Sequence, residues 1–329
     1  MKFFAGVDGG GTTTRCVIFD QEGNISGYGK AGPANYHAAG SAVTGDSLLT
    51  ALQNACATLP PGYEIEGLFL ALAGVVSDKD KRIILELSQF LLQKFTINPG
   101  NIQVNHDCQA ALTGATGGTS GIIVISGTGS SCYGENGQGE SWMAGGWGYI
   151  LDDLGSSYYL GQQALVSCVQ CYDGRGPFTI LLREILHKLG LQRVEELMHW
   201  LYFPTLDRAA VAGLAPLVIQ AAEADDSIAQ NIVKKGAREL AVMVKAVAEK
   251  LNMRAAEIKI STAGGLVNEA AYYRRAFQAT LGEMLPEALL INPFLPPVIG
   301  AALLGYRQAK GIISPEILAK LNCQQKLLD

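Results

Sequence analysis

The sequence contains no uninterrupted apolar run approaching the roughly 18 residues that a membrane-spanning helix needs, so no membrane span is expected. Positive charge is also short: 25 Lys and Arg stand against 30 Asp and Glu, a net charge of −5. That balance provides no electrostatic footprint for nucleic acid or an anionic membrane surface. The start, Met1 to Asp8, meets an acid and glycines too early for a secretory signal, and a soluble cytoplasmic protein is the expectation. A disulfide framework is not expected either, because the seven cysteines are an odd number in a chain of 329 residues. Cys168 and Cys171 form the one close pair, without a second C-x-x-C or a His pair at ligand spacing, so buried free thiols are expected there. Two familiar phosphate-binding patterns are missing as well: G-x-x-x-x-G-K-[ST], and G-x-G-x-x-G leading into a helix.

What the chain does have is glycine, placed in two similar settings. The apolar stretch from Phe3 runs into Asp8-Gly9-Gly10-Gly11-Thr12-Thr13-Thr14 and out into Cys16-Val17-Ile18. Three glycines remove every Cβ from the turn, so that backbone N–H groups can close on a polyanion while the threonines add hydroxyl donors. A carboxylate at Asp8 beside a phosphate makes sense only with a divalent cation between them, and a Mg²⁺ held through water is the expectation. Taken alone, the segment is also compatible with a glycine-rich hairpin and a capping Asp. The second setting is Ile122 to Ile125, then Ser126-Gly127-Thr128-Gly129-Ser130-Ser131, then Cys132-Tyr133-Gly134. Strand, glycine and hydroxyl turn, strand therefore occurs twice, which suggests two hairpins gripping one phosphate chain from opposite sides.

Asp8 to Thr12 resembles the first phosphate motif, and Ser126 to Ser130 the second, of the superfamily of sugar kinases, actin and the heat-shock chaperone ATPases. Within it the chain is similar to the N-acetylglucosamine kinases and the BadF/BadG/BcrA/BcrD ATPase family. Further matches are Pro33-Ala34-Asn35, Asn105-His106-Asp107, Gly145-Gly146-Trp147-Gly148, Gly155-Ser156, Ala263-Gly264-Gly265 and Gly300-Ala301-Ala302, in the family's order over nearly the whole chain. The resemblance implies an α/β protein of two ribonuclease H-like (actin-like ATPase) domains with an interdomain cleft. It places the N-terminal domain at 1–115, completed by a C-terminal helix at 300–329, and the second domain at 116–299.

Composition and pattern fit that organisation. With 48% hydrophobic and 17% charged residues, the chain is globular and long enough for two filled cores. Helices are expected near Ala42 to Leu59 and Lys79 to Phe95, and strands at Gly67 to Leu72 and Ile102 to Asn105. A long helical region is expected from Ser156 to Leu251, broken at Asp225-Asp226-Ser227, followed by the strand Ile258 to Thr262.

Asp107 follows a short strand and precedes a helix, the position of a group facing a crevice at a strand's carboxyl end. By position it could equally be a helix N-cap. The resemblance makes it the catalytic aspartate, the base that takes the proton of an acceptor hydroxyl. His106 beside it is expected to be packing or solvent-facing. The resemblance further implies phosphate contacts from Gly10, Gly11, Thr12, Thr13, Gly127, Thr128 and Gly129, and adenosine contacts from Gly264 and Gly265. Sugar contacts are expected from Asn35, Gly146, Trp147 and Asp153; Trp147 offers an aromatic plate for a pyranose face or an acetyl methyl. Two departures from the family pattern bear on the substrate: Asp152-Asp153-Leu154-Gly155-Ser156 stands where Gly-Asp-Glu-Gly-Ser is frequent, and His37 where the animal enzymes carry tryptophan.

These residues imply an ATP- and Mg²⁺-dependent amino-sugar kinase of amino-sugar metabolism that phosphorylates the 6-hydroxyl of N-acetylglucosamine, with a homodimer left open. Glucosamine or N-acetylmuramic acid as substrate, an ATPase activator of the BadF/BcrA type and a sugar-sensing regulator are the alternatives.

Overall fold

The structure, a computed structural model, describes residues 1–203, 207–254 and 258–328; residues 204–206, within the expected long helical region, and the last residue of the expected C-terminal helix lie outside them. The chain forms two units, Met1–Gly121 with Asn292–Asp329, and Ile122–Ile291. Among the described residues no helix is long and apolar enough to cross a membrane.

In the first unit, β1 (Lys2–Gly9), β2 (Thr14–Asp20) and β3 (Ile25–Ala31) make a meander, followed by α1 (Tyr36–Ala39) and α2 (Ser41–Cys56). Then come β4 (Glu64–Leu72), α3 (Asp78–Lys94), β5 (Ile102–Asn105) and α4 (Asp107–Thr116). The sheet order is β3-β2-β1-β4-β5, antiparallel within the meander and parallel from β1 to β5. Alternation along β1 sends Phe3, Ala5 and Val7 into one core with Leu48 and Leu52 of α2, and Phe4 into another on the opposite face.

The second unit repeats the plan. β6 (Gly121–Ser126), β7 (Ser130–Glu135) and β8 (Ser141–Gly145) lead, among the described residues, into the helices α5 (Ser157–Tyr172), α6 (Leu181–Leu189), α7 (Glu196–Tyr202), α8 (Arg208–Ala212), α9 (Ala215–Glu223) and α10 (Ser227–Lys250). After β9 (Lys259–Ala263) follow α11 (Gly265–Glu269), α12 (Ala271–Met284) and the two-residue β10 (Leu289–Leu290). The order β10-β9-β6-β7-β8 is that of the first sheet, again with parallel pairs on one side of the first strand and a hairpin on the other. The expected break at Asp225 and Asp226 is the start of α10: Asp225 is left-handed (φ 62°), and Asp226 caps the helix by accepting from the amides of Ile228 and Ala229.

The chain then returns to the first unit as α13 (Pro297–Lys310) and α14 (Pro315–Gln324). Helix α13 lies on β1 and α4 at a distance that side chains would forbid. A Cβ on Gly6 would stand 1.9 Å from the Ala302 nitrogen, and one on Gly300 would stand 2.0 Å from the Ala110 oxygen. Around this contact Phe4, Val17, Phe19, Ile299 and Leu303 close the second core of the unit. Gly6→Ala is expected to cost roughly 3 kcal/mol by overpacking, because the atom it meets is backbone and cannot rotate away. Urea denaturation of the variant checks this; stability within about 0.5 kcal/mol of the parent would contradict the packing described.

Candidate nucleotide and acceptor site

The two glycine turns share one hydrogen-bonding design. In the first, the Gly9 carbonyl accepts from Ala73 N–H (2.8 Å), that of Gly10 from Ala34 N–H (2.9 Å) and that of Thr13 from Gly10 N–H (2.9 Å). In the second, the carbonyls of Gly127, Thr128 and Gly129 accept from the amides of Ser157 (2.8 Å), Tyr158 (3.3 Å) and Gly127 (3.0 Å). Carbonyls are thus drawn into the protein in both turns. Among the described residues the amides of Gly11, Thr12 and Thr13, and of Thr128 and Gly129, donate to nothing. Unclaimed N–H groups in a concave turn form an anion-binding nest. A Cβ on Gly11 would meet nothing within 4 Å, and its φ is not left-handed, so the protein's own packing does not require glycine there.

Beside the second turn lies a pocket of about 770 Å³ lined by Gly127 and Thr128, by Gly265 and Glu269, and by Ile219 and Gln220 of α9. Gly264 (φ 95°) packs its backbone against the Ser126 carbonyl, where a Cβ would stand 2.4 Å from that oxygen. Glycine is therefore compulsory at 264, and it brings the third glycine site onto the same pocket as the second. The α9 wall was not foreseen, since an amphipathic helix with no motif gives no signal of what it faces.

In the first unit two acids stand at the carboxyl ends of parallel strands, Asp8 on β1 and Asp107 just after β5. Burial pushes the Asp8 carboxyl up to about 6; the Asp107 charge adds to this and Arg15 only partly opposes it. Asp107 is also raised, by burial, against hydrogen bonds from the Cys108 thiol and from backbone amides. The helix cap is not Asp107 but His106, whose Nδ1 accepts from Gln109 N–H (3.3 Å). Burial, with Lys81, pushes that imidazole down to about 4, so it is neutral and able to accept. His106 is thus neither mere packing nor solvent-facing. By taking the cap it releases Asp107 from the structural duty that its position suggested.

The residues present fit a divalent cation. A buried acid whose pKa is raised by burial and by a second carboxylate gains from a cation nearby, and among the described residues the Asp8 side chain accepts no hydrogen bond. No group of three or more His, Cys, Asp or Glu side chains assembles a closed metal cage among the described residues. Mg²⁺ characteristically uses one or two carboxylates, with water and substrate phosphates completing its shell.

A family model described as the BadF/BadG/BcrA/BcrD ATPase family matches residues 5–305. The chain belongs to this family. It is 32% identical over 305 residues to the N-acetylmuramic acid/N-acetylglucosamine kinase of Clostridium acetobutylicum, covering 92% of this chain and 98% of that protein. It is 29% identical over 320 residues to the N-acetyl-D-glucosamine kinase of Dictyostelium discoideum, covering 94% and 99%. A solved structure from Chromobacterium violaceum, assigned as an N-acetylglucosamine kinase, superposes with a TM-score of 0.70 at 27% identity, covering 92% of this chain and 99% of that one. The fold is α/β, of the two-domain actin-like ATPase type.

Within this family member the residues expected on a sugar fall into different settings. Asn35 caps α1 through its Oδ1, which accepts from His37 N–H (3.2 Å) and Ala38 N–H (3.4 Å), so its amide nitrogen is not used by the cap. The loop is braced from below: Tyr36 donates its hydroxyl to Asp80, and the His37 ring lies on Tyr36 (centroids 4.0 Å apart) with Nε2 3.6 Å from the same carboxylate. Burial opposes the charge on Asp80, but hydrogen bonds from Tyr36, Ser77 and the Val76 and Ser77 amides hold it down at about 2. Trp147 is 75% exposed, on a loop whose Gly146 (φ 80°) and Gly148 (φ 83°) are left-handed. Its amide donates to Asp152 (3.3 Å).

Asp153 is placed differently from the expectation. It is 4% exposed, with one oxygen accepting from Ser130 N–H (3.1 Å) and the other paired with Arg208 (3.0 Å). A Cβ on Gly129 would stand 2.7 Å from that carboxylate. Each oxygen accepts one hydrogen bond, and in this structure Asp153 braces the second glycine turn. Neither Asp80 nor Arg208 was singled out by sequence, because their partners are 44 and 55 positions away.

Two outcomes follow. Gly11→Ala is expected to leave stability within about 0.5 kcal/mol while weakening Mg·ATP binding at least tenfold, compared by thermal melts and calorimetry. For Asp8 the folded-state pKa of about 6 lies above the ordinary 3.8, so the fold favours the neutral acid. Stability is full below the ordinary pKa and declines as the pH rises through roughly 4 to 6. Asp8→Asn in metal-free protein is therefore expected to raise stability at pH 7 by up to about 3 kcal/mol, and to change it little at pH 4. Equal effects at both pH values would remove the strained carboxylate.

Proposed function

We propose that the protein is an ATP-dependent amino-sugar kinase that transfers the γ-phosphoryl group to the 6-hydroxyl of N-acetylglucosamine. The observation that carries this is a released, pKa-raised Asp107 within electrostatic reach of Asp8, the two standing at the carboxyl ends of parallel strands of one sheet. It is supported by two turns whose amides face outward and by a pocket beside the second of them.

In this reading the pocket of the second unit takes the adenosine against Gly264 and Gly265, and the amides of Thr128 and Gly129 hold phosphate oxygens. In the first unit the amides of Gly11, Thr12 and Thr13 do the same. When bound, Mg²⁺ neutralises charge on the phosphates, and Asp8 holds it through water. Asn35 donates its side-chain amide to a sugar hydroxyl, and Trp147 covers an apolar sugar face or the acetyl methyl. Asp107 orients the acceptor hydroxyl and takes its proton as the oxygen attacks phosphorus and the bond to the ADP oxygen breaks. Burial raises its basicity, which suits it to hold that proton.

The iron–sulfur activator reading fits less well. Cys168 is buried within α5 and burial pushes its thiol up to about 12, with Cys171 adding to the shift, which opposes the thiolate a cluster needs.

Asp107→Asn is expected to lower kcat about a hundredfold or more with ATP affinity little changed. Retained activity would remove Asp107 from the mechanism. ADP release with Mg·ATP over N-acetylglucosamine, glucosamine, N-acetylmannosamine, N-acetylmuramic acid and glucose tests the substrate. The largest kcat/KM is expected for N-acetylglucosamine; sugar-independent ADP release would overturn the kinase reading.

A further inference from the structure

Asp80, in the first turn of α3, is a buried carboxylate with a separate employment for each oxygen. Its Oδ2 belongs to the helix: it accepts from the amides of Val76 (3.0 Å) and Ser77 (2.7 Å) and from the Ser77 hydroxyl (2.7 Å), while Ser77 Oγ accepts from the Asp80 amide (3.2 Å). That exchange is a complete capping box. Its Oδ1 serves a different segment. It accepts the Tyr36 hydroxyl, and His37 Nε2 stands 3.6 Å from it.

Nothing in capping α3 requires that second employment. Ser77 with one carboxylate oxygen closes the box, and an acid at a helix start is ordinarily left in water. Asp80 is instead 6% exposed, and burying a carboxylate is unfavourable unless hydrogen bonds satisfy it. The bond from Tyr36 persists over a wide pH range. Burial and the Asp80 contact push the tyrosine hydroxyl up to about 12, while Asp80, against the effect of burial, is held down at about 2 by hydrogen bonds from Tyr36 and Ser77. Tyr36 and His37 open α1, and directly before them stands Asn35. The Asn35 Oδ1 is fixed by the amides of His37 and Ala38 and lies against the backbone of Gly74 (φ 88°), where a Cβ would stand 2.7 Å from it. Gly74 leads into Val76 and Ser77, whose amides Asp80 gathers. One carboxylate therefore pins together the two loops between which the Asn35 side chain is held.

We infer that Asp80 is a positioning residue for the acceptor: through the Tyr36 hydroxyl it fixes the Asn35 side chain, and so sets the affinity for the sugar without touching it. The inference rests on the kinase reading and adds to it a residue 44 positions from the tyrosine it acts through. An amide held in one orientation loses less freedom on binding than one that rotates, so the effect falls on acceptor affinity. The first phosphate turn is held by the amides of Ala34 and Ala73, which Asp80 does not touch, so nucleotide affinity lies outside its reach.

The test is steady-state ADP release with N-acetylglucosamine at saturating Mg·ATP, beside calorimetry of Mg·ATP binding, on the full chain. Tyr36→Phe removes one hydroxyl and leaves the capping box whole. It is expected to raise the KM for the sugar at least tenfold, with kcat and the Kd for Mg·ATP within about threefold of the parent. Ser77→Ala removes the box and leaves Oδ1 in place; it is expected to lower the melting temperature with the sugar KM unchanged. Asp80→Ala is expected to do both, and Tyr36→Phe/Asp80→Ala to have the KM of Asp80→Ala alone, since both changes act through one bond. Where Asp80→Ala does not fold, Tyr36→Phe and Ser77→Ala decide by themselves. A parent that releases no ADP with any sugar of the panel would overturn the kinase reading and this inference with it. With an active parent, the inference alone is overturned by an unchanged KM in Tyr36→Phe, by a Mg·ATP Kd that rises in step with that KM, by an equal rise in Ser77→Ala, or by a double variant in which the two effects multiply.

Discussion

The backbone of α13 rests directly on β1 and on α4, and most of the candidate chemistry of the first unit depends on that contact. Gly6 meets Ala302, and Gly300 meets Ala110, at separations that leave no room for a Cβ. Asp8 is two residues beyond Gly6, and Asp107 is three residues before Ala110. One helix therefore fixes the two segments from which the two acids project. Close-packed interiors transmit small displacements, so a change at Gly6 would be felt at both carboxyl groups.

Holding two buried acids whose pKa values are raised, Asp8 by burial and by Asp107 and Asp107 by burial, is unfavourable for the folded state. The same holds for turns whose amides find no acceptor among the described residues. Such strain is tolerable where the surrounding structure is rigid and a ligand relieves it. Both turns are built so: their carbonyls are tied to following strands and helices, and Asp153 with Arg208 backs the second one. The loop of Asn35 is tied to the first turn by the Ala34 to Gly10 hydrogen bond and braced by Tyr36, His37 and Asp80.

Much of this was legible along the chain because it is local. Asp8-Gly9-Gly10-Gly11-Thr12 and Ser126-Gly127-Thr128-Gly129-Ser130 are short patterns whose meaning depends on neighbours in sequence, and both fold as turns between paired strands. Helices near Ala42 and Lys79 and the strand before Asn105 were readable from periodicity, and they form as α2, α3 and β5. The two-residue β10 was not readable, since a strand that short has no period and exists only as the parallel partner of β9. Asp107 could not be told from a cap, because the choice between it and the adjacent His106 depends on the backbone where α4 begins.

By itself the sequence determined the fold class, the repeated strand-turn-strand plan and the residue types available for phosphate, metal and proton transfer, since these follow from local propensity and from side-chain chemistry. The tertiary structure alone decided which of those groups are free to act. It turned Asp153 inward onto Ser130 and Arg208, gave the helix cap to His106, and set the Tyr36 hydroxyl on Asp80. The reason is physical: whether a polar group is satisfied depends on partners tens to hundreds of positions away, and only packing brings them within hydrogen-bonding reach.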